Sequence, residues 1–364
     1  MVQSSQRELR TVDPAWSIGE VMARIAKALV SDGPALAFSE VSFTTVPEKI
    51  ALVISTTGSS GVKKDVGLSA SALLSSARAS NKFLGSEFGN TWSLLLPLNH
   101  VAGVNVLLRS LELGTEPINL VGHTGEYPRA DFTAIVPTQL YKALNGNTDL
   151  LNHLKSAKAV LIGGAALTPQ LHLDAEKAGI NVVTTYGMTE TAGGCVYNGQ
   201  ALDGVELSVS KDGRISIKGS TLASTYIGAE SLWETTFKEG WFTTSDLGRI
   251  ENEKLIVEGR NDDVFVTGGE NLSIAAIERA LHAHFPHKNF AALAIDSAQW
   301  GQALHIAMAG PGFPGETDIS DYLVEYFGAA AKPKGFLQLP ELPLIGIGKV
   351  DKAALKELLQ KGVN

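Results

Sequence analysis

The sequence predicts an α/β fold: a large N-terminal domain of mostly parallel sheets with helices plus an antiparallel β region, then a small α+β C-terminal domain. Three observations predict it. Short apolar, β-branched runs alternate with amphipathic stretches from residue 17 to about 185, as strands joined by crossover helices do. Near residue 204 the period becomes two, around Asp212-Gly213, which is a hairpin signal. After Arg260 a fresh mixture of helix and strand patterns begins. The boundary is therefore set at Arg260–Asp262, dividing the chain into 1–261 and 262–364. A length of 364 residues accommodates two domains of about 150 residues or more.

The elements follow in order. Ser17 and Glu20 form a capping box, and Ile18, Val21, Met22, Ile25 and Leu29 share one face, so residues 17–30 read as a helix. Ile50–Ile54 reads as a buried strand entering a Ser/Thr/Gly loop, after which Ser69 caps a helix over 70–82. A strand near Trp92–Leu96, a helix near 101–112, a strand at Thr133–Val136 and a helix from Pro137 continue the alternation. A strand at Ala159–Ile162 precedes Thr168-Pro169, an N-cap and N1 pair. Asn181–Thr185 is another strand, and VELSVSKDGRISIKG and GRIENEKLIVEGR are two hairpins. The last segment has a helix near 273–284, strands near 291–295 and 304–308, a helix near 319–328 and an apolar-then-basic tail.

Composition excludes several functions. With 44% hydrophobic and 19% charged residues, the chain can build a core and is not a disordered polyelectrolyte. Acidic residues outnumber basic ones, 38 to 30, for a net charge of −8. That argues against nucleic acid as a partner and against a polybasic membrane anchor. Cys195 is the lone cysteine, which excludes an internal disulfide and a Cys-rich zinc site and fits a cytoplasmic setting. MVQSSQRELRTVDP lacks the apolar core of a secretory leader. The stretch TWSLLLPLNHVAGVNVLLRSL is broken by Pro97, Asn99, His100, Asn105 and Arg109, whereas a spanning helix needs ~20 predominantly apolar residues.

Several motifs carry chemistry or imitate it. ISTTGSSGVKKDV (54–66) reads as strand, loop, then helix. Its glycines and hydroxyls allow backbone N–H groups to curl around anionic oxygens, with a flexible polar loop as the plain alternative. Its spacing is not that of Walker A, and its S-x-x-K lacks partner motifs. GPGFPG (310–315) matches G-x-G-x-x-G by letter, but two prolines and no immediate helix pattern make it a surface loop. His282, His284 and His287 do not share a helix face and read as solvated histidines. VVTTYGMTETAGG (182–194) places Thr189 and Glu190 just past a strand end, where α/β sheets bind ligands. Glu190 suits a hydrated Mg²⁺, which takes few carboxylates, while helix capping is the plain reading of Thr189. Asp246 is a carboxylate in an aromatic setting, either a turn cap or a partner for sugar hydroxyls. Lys349 ends a glycine-rich apolar approach, LPLIGIGK.

Taken in order, STTGSSGVKK, PLNHVAG, LIGGAAL, TYGMTE, WFTTSDLG, GRNDD, TGGEN and GKVDK resemble the adenylate-forming superfamily of acyl-CoA synthetases, luciferases and peptide-synthetase adenylation domains, over roughly residues 48–355. LPLNHVAGVNVLLRSL, IVPTQL, YGMTETAGGCVYNG and a short N-terminal region resemble, within it, the o-succinylbenzoate–CoA ligases of menaquinone synthesis in their short actinobacterial form. The resemblance implies a ligase that uses ATP and Mg²⁺ to form an acyl-adenylate, then a thioester of coenzyme A, with a mobile C-terminal domain.

It also implies roles. Ser59, Ser60, Gly61 and Lys64 hold the ATP phosphates, with Thr57 and Gly187 in the same ATP site. Gly164 and Ala165 line the adenine site and Tyr186 stacks nearby. Thr189 contacts phosphate and Glu190 binds Mg²⁺. Asp246 and Arg260 hold the ribose hydroxyls, and Asp262 is the hinge. His100 gates the acyl pocket. Gly268 and Gly269 line the pantetheine path, and Lys349 bridges the attacking carboxylate and the α-phosphate. For an aromatic dicarboxylate, Arg109 is the candidate cation for the carboxylate that is not activated, with a snorkelling surface arginine as the plain alternative. Gly193 and Gly194 are expected to leave room for the ring. The phosphate loop departs from the family at Lys63, where Pro is usual, and Asp65, where Gly is usual. An acid beside a polyphosphate opposes ATP binding, and Lys63 adds a compensating charge. Three alternatives stay open: another aryl- or acyl-CoA ligase, a degenerate nucleotide-binding relative without catalysis, and loading of a carrier protein in trans. A homodimer covering the sheet edge beside the short N-terminus is a further expectation.

Overall fold

Ser17 caps the helix Ile18–Leu29 through the expected capping box with Glu20, and Val21, Met22, Ile25 and Ala28 are its buried face. The computed structural model describes residues 5–57, 63–286, 288–297, 299–310, 312–345 and 349–361. Ser59, Ser60 and Gly61 lie outside the described residues, as do the side chains of Thr57, Asp262 and Lys349.

Two sheets frame the first 200 residues. One has the spatial order Thr225–Ile227, Lys63–Ser69, Ile50–Thr57, Ala35–Ala37, Gln6–Thr11, Thr45–Pro47. It is mixed, with Ala35–Ala37 running parallel to both of its neighbours and the outer pairings antiparallel. The other runs Gln200–Ala201, Gly193–Tyr197, Val182–Met188, Ala159–Ile162, Phe132–Ile135, Trp92–Leu94, Ile118–Asn119. It is parallel from Val182–Met188 onward and antiparallel at the Gly193–Tyr197 edge. Helices Ala70–Phe83 and Val101–Glu112 pack between the sheets. They bury Leu73, Ala77, Val104 and Leu107 against Leu52 and Leu68 on one side and Trp92 and Val196 on the other. Each such aliphatic burial contributes about 1.5–3 kcal/mol.

The predicted hairpins form an antiparallel sheet of Val205–Val209, Arg214–Gly219, Trp241–Glu251, Phe237–Lys238 and Lys254–Arg260. Beyond Arg260, the strands Val264–Thr267, Glu270–Ser273, Asn289–Ser297, Gly301–Ala309 and Gly335–Leu339 make a further sheet. Helices Ile274–His284 and Glu316–Phe327 join its core. Buried apolar clusters draw either on residues Leu9–Leu255 or on residues Phe265–Leu359. No helix among the described residues is long and apolar enough to cross a membrane.

Four local readings change. The loop after Ile50–Thr57 does not lead directly to a helix: Lys63–Ser69 returns as an antiparallel strand. Val66 and Leu68 alternate into the core, and Gly67 lets Ile50 and Ile227 close over it. The predicted helix from Pro137 is two, Pro137–Leu144 and Thr148–Ser156, because Gly146 turns at φ 128° and Asn147 caps the second. The polar strand Gln6–Thr11 has no apolar run to betray it. It is held instead by buried Arg7, whose guanidinium donates to the carbonyls of Gly33, Ala28 and Ile50. After GPGFPG a helix does begin at once, at Glu316, with Asp318 accepting the Gly315 N–H in its first turn.

Candidate active site

The strand Val182–Met188 leaves its sheet through a single 3₁₀ turn, Thr189–Thr191, closed by Ala192 in the left-handed region at φ 50°. Thr189 and Glu190 are each 8% exposed and Thr191 is fully buried. Two helices hold this turn from behind. The Ala192 carbonyl accepts from Ser76 Oγ at 2.9 Å and from Asn105 Nδ2 at 2.8 Å. Thr191 Oγ1 accepts the Met188 N–H at 2.9 Å and lies 2.7 Å from the Gly193 carbonyl oxygen. From the front, the Ala223 N–H donates to the Glu190 carbonyl at 2.8 Å. The Tyr226 hydroxyl donates to Glu190 Oε1 at 2.7 Å. The ring of the same tyrosine lies beneath the Lys64 ammonium, 5.1 Å from Nζ to the centroid. Glu190 and Lys64, predicted together, are thus brought together through a residue that the sequence did not single out.

Asp246 does not cap a turn. It lies within the strand Trp241–Glu251, opposite Arg260 on the neighbouring strand. Its carboxylate accepts from Tyr186 Oη at 2.8 Å and from Arg260 Nη1 at 3.2 Å. Burial, then the adjacent Asp246 carboxylate, pushes the Tyr186 phenol pKa up, so the hydroxyl stays a donor.

The unusual charges at Lys63 and Asp65 are accounted for by strand geometry. Successive side chains of a strand point to opposite faces, so Asp65 points away from Lys64. Asp65 Oδ1 accepts from Ser55 Oγ at 2.5 Å and pairs with Lys63 Nζ at 3.7 Å. Lys63 also donates to the Glu40 carbonyl at 2.5 Å. The acid is matched where it stands, and Lys64 remains on the other face.

His100 is the extended N-cap residue of Val101–Glu112, and Gly103 is forced by the Pro97 carbonyl, 2.3 Å from where a Cβ would sit. One turn apart on that helix, Asn105 and Arg109 point at the strand Gly193–Tyr197. Arg109 does not snorkel: it is 4% exposed. It donates to Tyr197 Oη at 3.1 Å and lies over the Trp92 ring at 4.9 Å, while its Nε is buried with no hydrogen-bond partner. No described carboxylate pairs with it. The room left by Gly193 and Gly194 is taken by the protein itself. A Cβ on Gly193 would meet Asn105 Nδ2 at 1.9 Å, and one on Gly194 would meet the Tyr197 ring at 2.9 Å. Gly193 also has φ +102°. Gly193→Ala is therefore expected to destabilise the fold by about 2–4 kcal/mol, the sum of backbone strain and overpacking; thermal unfolding of the variant checks this.

Gly164 and Ala165 are exposed just past the strand Ala159–Ile162. Gly163 before them is fixed by Thr185, whose Oγ1 would be 2.1 Å from a Cβ. Gly268 and Gly269 form the exposed turn between Val264–Thr267 and Glu270–Ser273, at φ 59° and 87°. The Lys349 backbone pairs with Ile345 in a short hairpin ahead of the helix Lys352–Lys361. His282 is half-buried and its Nδ1 donates to the Lys288 carbonyl at 3.1 Å, so it packs, whereas His284 is exposed with its ring stacked on Tyr322; His287 lies outside the described residues. Tyr226, Tyr197 and Asn105 are the residues sequence reasoning missed. Each is an unremarkable letter whose contact comes from across the fold, 36, 117 and 87 residues away for its Glu190, Ser80 and Ala192 partners.

Among the described residues, no three His, Cys, Asp or Glu side chains gather as a metal cage. A lone Glu190 with one oxygen tied to Tyr226 fits Mg²⁺, which keeps waters and phosphate oxygens as most of its ligands, and does not fit a cage-bound metal.

The fold is that of an AMP-binding enzyme: the model of that family matches residues 7–221, and the chain belongs to it. Among curated relatives, it is 38% identical over 330 residues to the "Probable 2-succinylbenzoate--CoA ligase" of Mycobacterium tuberculosis H37Rv, covering 85% of each chain. It is 29% identical over 357 residues to the 2-succinylbenzoate--CoA ligase of Escherichia coli K12, covering 92% of this chain and 77% of that one. Among solved structures, it is similar in fold to o-succinylbenzoate coenzyme A synthetase (MenE) from Bacillus subtilis in complex with ATP and magnesium ion. There the TM-score is 0.71 at 22% identity, over 95% of this chain and 83% of that one.

Proposed function

We propose that the chain is an ATP-dependent acid–thiol ligase that converts o-succinylbenzoate to its coenzyme A thioester, in menaquinone biosynthesis. The observation that carries the ligase reading is that Lys64 and Glu190 both contact Tyr226, with the Asp246–Tyr186–Arg260 cluster joined to the strand that precedes Glu190. The relatives' names carry the choice of acid.

In this reading residues 1–261 are the adenylation domain and 262–364 a mobile lid. Asp246, with Arg260, receives the ribose hydroxyls, and Tyr186, Gly164, Ala165 and Gly187 surround the adenine. Thr57, Ser59, Ser60, Gly61, Lys64 and Thr189 hold phosphate oxygens. Glu190 holds Mg²⁺, which when bound offsets the charge of the leaving pyrophosphate. A carboxylate oxygen of the acid attacks the α-phosphorus, the bond to the β-phosphate bridging oxygen breaks, and pyrophosphate leaves. Lys349 supplies the ammonium between the two repelling anions. The lid then turns about Asp262, and Gly268 and Gly269 line the path of the pantetheine arm. The thiolate of coenzyme A attacks the acyl carbon, the bond to AMP breaks, and AMP leaves. The thiol proton goes to solvent.

Incubating the protein with o-succinylbenzoate, MgATP and coenzyme A, and weighing the product by mass spectrometry, tests the function. The thioester and AMP are expected in equal amounts. Failure with o-succinylbenzoate but turnover of benzoate or a fatty acid transfers the reading to another acyl-CoA ligase, and no AMP with any acid ends it. The hinge has its own test. Proline locks φ and removes an N–H, so Asp262→Pro is expected to slow the thioester step about tenfold or more, the cost of hindering a conformational step that gates turnover. Adenylation should change little, as single-turnover assays of each half-reaction can establish.

A further inference from the structure

Tyr226 joins the two halves of the cleft. The phosphate hairpin belongs to one sheet and Glu190 to the end of a strand in the other. Tyr226 is bound to the first by backbone pairing, since Thr225–Ile227 runs antiparallel to Lys63–Ser69 with Tyr226 opposite Val66. It reaches the second through its hydroxyl, at 2.7 Å from Glu190 Oε1. The side chain has little freedom. It is 1% exposed, and its ring meets Trp233 edge-on at 5.2 Å; Trp233 is in turn stacked between Phe237 and Phe242 at 5.3 and 5.4 Å. Its upper face carries the Lys64 ammonium.

We infer that Tyr226 is a positioning residue that sets the separation and the availability of the two charges a magnesium–polyphosphate meets, by occupying Glu190 Oε1 with its hydroxyl and seating Lys64 on its ring. A carboxylate with one oxygen already engaged by a short charge-assisted hydrogen bond has its other oxygen aimed and free for a cation. An ammonium over an aromatic face is held by the ring quadrupole without a competing carboxylate, so it is not drawn down onto Glu190. Without the hydroxyl, a buried carboxylate oxygen loses its donor and Glu190 is no longer aimed at a cation, while the ring still seats Lys64.

This inference rests on the assignment of Glu190 to Mg²⁺, and the test separates the two. Tyr226→Phe removes one oxygen and keeps the ring, so packing and the seat of Lys64 survive. Binding of a non-hydrolysable ATP analogue is measured by calorimetry over a Mg²⁺ titration, for the wild type, Tyr226→Phe and Glu190→Gln. In Tyr226→Phe the Mg²⁺ concentration at half-effect is expected to rise about tenfold, the scale of a lost hydrogen bond to a charged group. Binding of the analogue without Mg²⁺ should fall less than about twofold, because the ring still seats Lys64. Thioester formation from supplied acyl-adenylate should keep the wild-type rate. If Glu190→Gln shifts the Mg²⁺ titration and Tyr226→Phe does not, the role given to Tyr226 is wrong while that of Glu190 stands. If neither shifts it, the Glu190 assignment fails and takes this inference with it. If Tyr226→Phe lowers both half-reactions and the melting temperature together, the tyrosine is structural and the positioning role is overturned.

Discussion

Lys349→Ala is expected to lose at least about 10²-fold in acyl-adenylate formation, the scale of one lost charge contact in a transition state, while still turning supplied acyl-adenylate and coenzyme A into thioester. The lysine lies on a well-anchored support. Its strand pairs with Leu344–Ile345, and the helix that follows is capped by Asp351, which accepts the Ala354 N–H at 2.9 Å. Leu355 is fully buried against the lobe's own sheet, in a cluster with Ala291 and Leu293. Lys352, three residues past the catalytic candidate, pairs at 3.1 Å with Glu278, whose Oε1 also accepts the Ala292 N–H at 2.9 Å. Glu278 is only a quarter exposed, and burial raises its carboxyl pKa against the pull of Lys352. In the proposed cycle a turning lobe brings that ammonium to one half-reaction and withdraws it from the other, a hinge-type switch. Pyrophosphate release measures the first half and thioester mass the second. Equal loss in both would remove the reason for a turning lobe.

The parts of the site that could be read in the sequence share a property: their chemistry is local. Ser17 and Glu20, or Thr168 and Pro169, specify a helix start within a few residues, and both caps form as expected. Glu190 lies just past a strand end because the β-branched run VVTT (182–185) favours a strand and Ala192-Gly193-Gly194 turns the chain soon after it. What could not be read depends on partners across the fold. Lys63–Ser69 has the composition of a charged loop, and becomes a strand because Thr225–Ile227 and Ile50–Thr57 pair with its two edges. Asp65 looked like a hazard to a polyphosphate until the pleat placed it on the side of Ser55 and Lys63. Gly193 and Gly194 suggested open space, and instead admit Asn105 and Tyr197. In each case local propensity was overruled by a pairing or packing contact that the neighbouring letters do not announce.

Arg109 presents the second large effect. A guanidinium that is 4% exposed, with its Nε unsatisfied and a tyrosine hydroxyl as a hydrogen-bond partner, is an incomplete arrangement. Arginine offers five N–H donors, and burying its charge unpaired is costly. Stacking on Trp92 at 4.9 Å offsets part of that cost and fixes the plane of the fork. We propose that its remaining donors meet the second carboxylate of an aromatic dicarboxylate, where a neutral aliphatic chain would leave them unmatched. Arg109→Met, which preserves bulk and removes the charge, is expected to raise KM for o-succinylbenzoate about 100-fold, the loss typical of a desolvated charge pair at a binding site. KM for ATP should stay within about threefold, since the residues proposed for the nucleotide, Lys64, Asp246 and Tyr186, are untouched. The variant should melt no lower than the wild type, because an apolar side chain of similar volume replaces a buried, unmatched cation. Arg109→Lys should recover only a fraction of the loss, as an ammonium keeps the charge but neither stacks nor forks. A parallel rise in both KM values would mean that Arg109 shapes the core instead of meeting the acid, and the choice of a dicarboxylate would then have to rest on other residues.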